Sequence, residues 1–208
     1  MPEYDDERMG RRFADLLLFG VTSAELAILW FFTPTFTITD WIYVSGHVIV
    51  LGIAVTRHPP RAKDYSVRSG AAVLVAYAYP YAQVIYLRWI PGDPAWPAGG
   101  LVLVMAGACW SLVSLLTLGR MFGVRPALRG LVTTGPYALV RHPIYLAYVV
   151  EDIGYNFQEW NAGTVLIIIV GWVSLIYRIR AEERILSLDA EWAKYAASVR
   201  YRLLPGLW

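Results

Sequence analysis

Charge is what this chain has least of. Of its 208 residues only 16% are Asp, Glu, Lys or Arg, whereas 57% are hydrophobic and the mean hydropathy is +0.46. A soluble domain carries about a quarter charged residues, so the composition argues against a soluble enzyme and against a disordered protein. The 18 Lys and Arg nearly cancel the 16 Asp and Glu, for a formal net charge of +2. That balance gives no electrostatic footprint for a nucleic-acid partner. A lone cysteine, Cys109, excludes an intramolecular disulfide, and no cysteine spacing suggests a metal site. Residues 1–12 lack the small-residue cleavage pattern of a signal peptide, so the first apolar run is expected to persist.

What is present is apolar length. A helix needs roughly 20 mostly apolar residues to cross a bilayer, and apolar runs occur at about 14–33, 38–56, 71–90, 99–118, 142–157 and 162–177. Turn chemistry separates them at Thr33-Pro34, His58-Pro59-Pro60, Pro91-Gly92-Asp93-Pro94 and Asn161-Ala162-Gly163. With alternate connections on alternate sides, seventeen of the eighteen Lys and Arg fall on one side and only Arg88 on the other. The positive-inside rule makes that side, with both termini, cytoplasmic. The expected architecture is therefore an all-α polytopic bundle of five to six transmembrane helices in one domain. Run five is short and holds Glu151, Asp152 and Asn156, so it is expected to form a tight hairpin with run six. Beyond it, residues 181–201 carry Ile185, Leu188, Trp192, Tyr195 and Val199 at spacings of three and four, which predicts an amphipathic cytoplasmic helix.

Chemistry concentrates on the basic side. The stretch LGRMFGVRPALRGLVTTGPYALVRHPIY, residues 118–145, is rich in Gly, Pro and Arg and cannot form one continuous helix. Its irregular backbone needs partners near a membrane, and either lipid headgroups or a nucleoside-like ligand could supply them. Arg178, Arg180, Glu182 and Glu183 follow run six, with Arg178 and Glu182 on one helix face. They read either as a solvated salt-bridge network or as a carboxylate and an arginine that together hold a polar ligand. Glu151 and Asp152 are costly inside a membrane segment and either line an acceptor site or cap the hairpin. Arg57-His58-Pro59 repeats the Arg-His-Pro triplet without the surrounding tyrosines and reads as a turn. His47 reads as a packed residue, and Trp41, Trp89, Trp96 and Trp160 as interface anchors.

Gly135-Pro136-Tyr137, then Arg141-His142-Pro143-Ile144-Tyr145, then Glu182-Glu183-Arg184-Ile185-Leu186, closed by Tyr195, Val199 and Leu204-Pro205, form an ordered set. That set resembles the isoprenylcysteine carboxyl methyltransferase family and the related phospholipid methyltransferases, over roughly residues 100–208. The resemblance divides the single domain into N-terminal spans (1–98) and a cofactor-binding core (99–208). It implies an integral-membrane methyltransferase using S-adenosylmethionine without a Rossmann-type domain, and the sequence has no Gly-rich turn of that kind. It further implies cofactor contacts at Leu131, Val132, Tyr137, His142, Pro143, Ile144, Tyr145, Glu182 and Glu183. Arg178 and Glu182 would be catalytic, with Arg178 at the substrate; Glu151, Asp152 and Asn156 are substrate-site candidates from their place in run five alone. Arg129 departs from the family pattern ahead of the Leu-Val pair.

Methyl transfer from a sulfonium is an in-line displacement that chiefly requires alignment. A carboxylate acceptor is already ionised at neutral pH, whereas an amine or thiol needs a base, for which His142 or Glu183 would serve. The expected acceptor is lipophilic or small, the carboxylate of an isoprenylcysteine-like molecule first, with a phospholipid amine or small thiol as alternatives. Membrane lipid is the expected surrounding, with no metal, nucleic acid or obligatory protein partner. A membrane sterol-type reductase using a nicotinamide cofactor and a non-catalytic membrane protein are the readings from other classes.

Overall fold

A computed structural model describes residues 38–206 and 208, with scattered positions 20, 23–24, 26–27, 30–31 and 36. The expected first span at 14–33, and Arg8, Arg11 and Arg12, lie largely outside the described residues.

The order of elements follows the apolar runs. Helix α1 spans Ile38–Thr56, a short strand β1 spans Ala62–Lys63, and α2 spans Val67–Trp89. Helix α3 spans Pro97–Leu118, and the basic stretch after it holds 3-10 turns at Gly119–Met121 and Gly135–Ala138 and strand β2 at Ala127–Leu128. Helix α4 spans Pro143–Gln158, α5 spans Ala162–Leu186, and α6 spans Trp192–Ser198. Each start has a local cause. Ser66 caps α2 by accepting the Ser69 N–H at 3.2 Å. Prolines occupy the first positions of α3 and α4, where a missing N–H costs nothing. Asn161 caps α5 through the Gly163 N–H at 2.8 Å.

Among the described residues three helices are long and apolar enough to cross a membrane, α2, α3 with the turn that follows it, and α5. Helix α1 has a shorter apolar stretch at Val44–Ile53. The 16 residues of α4 reach only about 24 Å, short of the roughly 30 Å hydrocarbon core.

The helix ends sort onto two sides. At one end β1 pairs antiparallel with β2, Ala62 opposite Leu128 and Lys63 opposite Ala127. His58 N–H there donates to Arg120 O at 2.9 Å and Arg129 Nε to His58 O at 2.9 Å. The second Arg-His-Pro triplet is thus a turn whose backbone ties the two basic loops together. At the other end Asp93 and Trp160 exchange backbone hydrogen bonds of 2.9 and 2.7 Å. The alternation inferred from charge therefore holds for the described helices.

Two helix pairs carry the bundle, α3 with α4 and α2 with α5. Glycine decides the first seam, because a Cβ on Gly100 would lie 2.5 Å from Gly154 O and one on Gly154 would lie 2.8 Å from Gly100 O. Small residues allow this approach where lipid supplies no hydrophobic drive between helices. Run five does turn sharply into run six through residues 159–161, yet α4 packs mainly on α3. The hairpin expectation is corrected to that extent, because the glycines lie on the α3-facing side.

The tail differs from the expected single helix over 181–201. Helix α5 continues to Leu186, the chain turns, and only Trp192–Ser198 is helical again. Asp189 causes the break, its Oδ1 accepting the Glu191 N–H at 3.1 Å while Ser187 Oγ donates to Arg184 O at 2.8 Å. Leu188 is left exposed, whereas Tyr195 and Val199 are buried.

Candidate functional site

The Gly-Pro-Tyr and Arg-His-Pro motifs meet the acidic end of α5 because three segments converge on the start of α4. Gly135 takes a φ of 58°, a left-handed value that glycine adopts without strain, and opens the turn that buries Tyr137. Tyr195 from α6 holds that turn, its hydroxyl donating to Tyr137 O at 2.8 Å. Arg141 and His142 lie outside the helix ahead of Pro143, and their N–H groups donate to Tyr201 O and Arg202 O, each at 2.9 Å. The tail therefore straps the motif in place. On the opposite flank Trp110 Nε1 donates to Pro143 O at 3.1 Å.

Glu182 lies at the centre. The Tyr145 hydroxyl donates to its Oε1, His142 Nδ1 lies 3.7 Å from its Oε2, and Arg178 Nη2 lies 3.9 Å from Oε1. Arg178 is only 7% exposed. Its Nη2 donates to Val124 O at 3.1 Å, its guanidinium lies 5.3 Å from the Tyr145 ring centre, and its Nε has no partner among the described residues. The His142 and Tyr145 rings stack at 5.7 Å. Glu183 turns the other way. Arg202 Nε donates to it at 2.8 Å, Arg141 Nη1 lies 3.2 Å away, and His142 Nε2 lies 3.4 Å away. Both ring nitrogens of His142 thus face carboxylates.

Burial pushes the Tyr137 phenol well above its ordinary value, and the Glu182 carboxylate nearby adds to the rise. Burial also lowers Arg141 despite the Glu183 carboxylate beside it. The Tyr195 phenol is pushed up to about 12 by burial.

A cavity of about 780 Å³ opens against this cluster, within the size range of small-molecule sites. Leu131, Val132, Tyr137, His142, Pro143, Ile144, Tyr145, Arg178 and Glu182 all lie on its wall, and so do Glu151 and Asp152 farther in. Glu183 and Asn156 do not. Asn156 instead accepts from the Thr164 hydroxyl at 2.8 Å. Asp152 Oδ2 accepts from Tyr79 at 3.1 Å and Trp172 at 2.7 Å, tying α2, α4 and α5 together. The wall also includes Arg125, Arg141 and Tyr195, which were not singled out as site residues. Tyr195 could have been found from its place on the apolar stripe of the tail. Arg125 had no signal beyond its basic loop. His47 packs beside Tyr81, with 3.2 Å between its Nε2 and the hydroxyl. Trp41, Trp89, Trp96 and Trp160 are exposed.

Helices of membrane length surround a cavity whose charged, arginine-flanked end suits a ligand with polar and apolar parts. Comparison with known proteins makes the class specific. Residues 100–188 match the model of the isoprenylcysteine carboxyl methyltransferase family. Two Arabidopsis thaliana proteins, protein-S-isoprenylcysteine O-methyltransferases A and B, are each 24% identical to the chain. Their alignments run over 196 and 195 residues, covering 90% of this chain and 94% of either relative. Over residues 100–188 the chain is thus similar to the isoprenylcysteine carboxyl methyltransferase family, and over most of its length to two proteins named as methyltransferases. Members of that family take the methyl group from S-adenosylmethionine. The alignments also extend the likeness into the N-terminal spans, beyond the half of the chain where the motifs lie.

Proposed function

We propose that this chain transfers a methyl group from S-adenosylmethionine to the carboxylate of a lipophilic, isoprenylcysteine-like acceptor at the cytoplasmic edge of the membrane. One observation carries the choice of carboxylate. The side chains at the charged end that could act as a base are all engaged, His142 between Glu182 and Glu183, Glu182 by Tyr145 and Arg178, and Glu183 by Arg141 and Arg202. An amine or thiol acceptor would need one of them free, whereas a carboxylate arrives ionised.

The residues fit the cofactor. Glu182 faces the cavity as a hydrogen-bond acceptor for hydroxyl or amine groups, and the Tyr137 and Tyr145 faces suit a sulfonium cation. Leu131, Val132, Pro143 and Ile144 supply apolar wall. When bound, the cofactor supplies an electrophilic methyl group on a positively charged sulfur. An acceptor carboxylate oxygen would take that methyl carbon as the carbon–sulfur electron pair passed to sulfur, which would leave a methyl ester and a neutral thioether. Arg178 draws the acceptor carboxylate into line, with its guanidinium fixed by Val124 O and the Tyr145 ring. His142 orients Glu182, and Glu183 fastens the tail strap. The apolar cavity wall withholds water from the nucleophile.

The domain reading goes with this, one domain in which the N-terminal spans complete a cavity whose charged end is built by residues 99–208. Membranes containing and lacking the protein, given radiolabelled S-adenosylmethionine, test the proposal. Base-labile label on N-acetyl-S-farnesylcysteine is the expected result. Label confined to phospholipid amines or thiols would overturn the acceptor assignment. Binding of a nicotinamide dinucleotide in place of S-adenosylhomocysteine would overturn the cofactor assignment.

A further inference from the structure

The cavity continues past the charged cluster, and its otherwise apolar deeper wall carries a few polar groups. Helix α4 lines it with Tyr145, Tyr148, Glu151 and Asp152, and α2 lines it with Tyr79 and Gln83. Asp152 and Tyr79 satisfy each other. Gln83 is different. It is 6% exposed, lies on the cavity wall one helical turn beyond Tyr79, and its amide makes no hydrogen bond among the described residues.

Glu151 repeats the pattern from the facing helix. It lines the same cavity, packs against Gly107 of α3, and has no hydrogen-bond or ion-pair partner among the described residues. Pro80 adds a third group, since it brings no N–H to the helix carbonyl of Ala76, and both residues line the cavity. Polar groups inside a membrane protein are costly when unpaired. An amide and a carboxyl left open on facing walls of one cavity are therefore matched by a ligand that offers hydrogen bonds. A plain isoprenoid chain offers none.

We infer that the deep half of the cavity, between Gln83 and Glu151, is a subsite for a hydroxyl group carried within the acceptor's lipophilic tail. A hydroxyl accepts from the Gln83 amide and donates to a carboxyl oxygen, so either side chain can hold it. Glu151 follows Tyr145 by six residues, which places the subsite about 9 Å deeper along α4. The acceptor class is thus a hydroxylated lipophilic carboxylic acid. The assignment rests on the methyltransferase reading above.

The test uses the full chain in lipid bilayers with a matched series of acceptors. One is N-acetyl-S-farnesylcysteine, and the others carry a hydroxyl on the first, second or third isoprene unit. Acceptor affinity is measured without cofactor, and kcat/KM with radiolabelled methyl donor. One hydroxylated acceptor is expected to exceed the plain chain by about tenfold or more in both measurements. Gln83→Leu and Glu151→Leu are each expected to bring that ratio toward one. Binding of S-adenosylhomocysteine reports that each variant is folded. A plain chain that equals or beats every hydroxylated acceptor overturns the subsite, and so does a ratio that survives both substitutions. Methylation without discrimination between tails defeats the subsite alone. Absence of both methylation and S-adenosylhomocysteine binding defeats the underlying reading as well.

Discussion

At the scale of single residues, adjacent carboxylates have been given different work. Glu182 and Glu183 are one position apart, and successive helix residues point about 100° apart around the axis. Glu182 therefore reaches the cavity while Glu183 reaches Arg141 and Arg202. The motif made the pair visible in the sequence, but not the division, which depends on where the tail lies. Glu182→Gln keeps the shape but removes the charge facing Arg178 and the cofactor cavity. It is expected to weaken S-adenosylhomocysteine binding by about tenfold or more, since hydrogen bonds to charged groups contribute about 1.5–3 kcal/mol. Calorimetric titration reads this, and an unchanged Kd would remove Glu182 from the cofactor site. Arg178→Ala is expected to leave that Kd within a few-fold while lowering kcat about 100-fold, the usual scale for losing one positioned donor at a reacting group. Undiminished turnover would take Arg178 out of the transfer step.

Elements show how far pattern reading reaches. Helix α1 follows the apolar run 38–56 from end to end because Pro59 and Pro60 bound it on one side. Helix α5 outran its apolar run by nine residues because Arg178 to Leu186 retain helix propensity after hydrophobicity ends. The tail departs from its pattern for the opposite reason. Apolar spacing continued through Leu188, but Asp189 bonds its own backbone two residues on and breaks the helix. Close packing of α3 on α4 was not legible either, since glycine spacing does not say which face meets which helix. Gly154→Ala places a methyl group 2.8 Å from Gly100 O. It is expected to cost about 1–3 kcal/mol as an overpacked contact, read as a lower thermal midpoint in detergent.

The tail strap has its own signature in alkaline solution. The Tyr195 phenol has an ordinary value of 10.0 and is pushed up to about 12 by burial in the folded chain. Its neutral form is therefore favoured by folding. The resulting stabilisation is fully present below about pH 10 and falls as pH rises from there toward 12, where the unfolded chain releases a proton that the folded chain keeps. Tyr195→Phe removes the hydroxyl that donates to Tyr137 O. It is expected to cost about 1 kcal/mol at neutral pH and to flatten the decline between pH 10 and 12. Thermal midpoints of the two proteins across that window provide the check. An identical slope in both would mean that Tyr195 does not control it.

For the whole molecule, the sorting of loops onto two sides is the most legible property and the site's depth the least. Charge alone separated the loops into two groups, because each misplaced crossing would have scattered the arginines. The described residues then joined the basic loops to each other through β1 and β2, and the remaining loops through Asp93 and Trp160. A cavity shared by six helices leaves no periodic mark, so nothing in the sequence sets Gln83 apart. We propose, on the positive-inside rule, that the paired basic loops, and with them Glu182 and the tail, face the cytoplasm. Single cysteines test this in a Cys109→Ser background, which clears the chain's one native thiol. Lys194→Cys on α6 is expected to react with a membrane-impermeant maleimide only after the cells are permeabilised. Asp93→Cys, at the opposite end of the bundle, is expected to react from outside in intact cells. The reverse pattern would invert the topology and put the charged cluster away from the cytoplasmic pool of methyl donor.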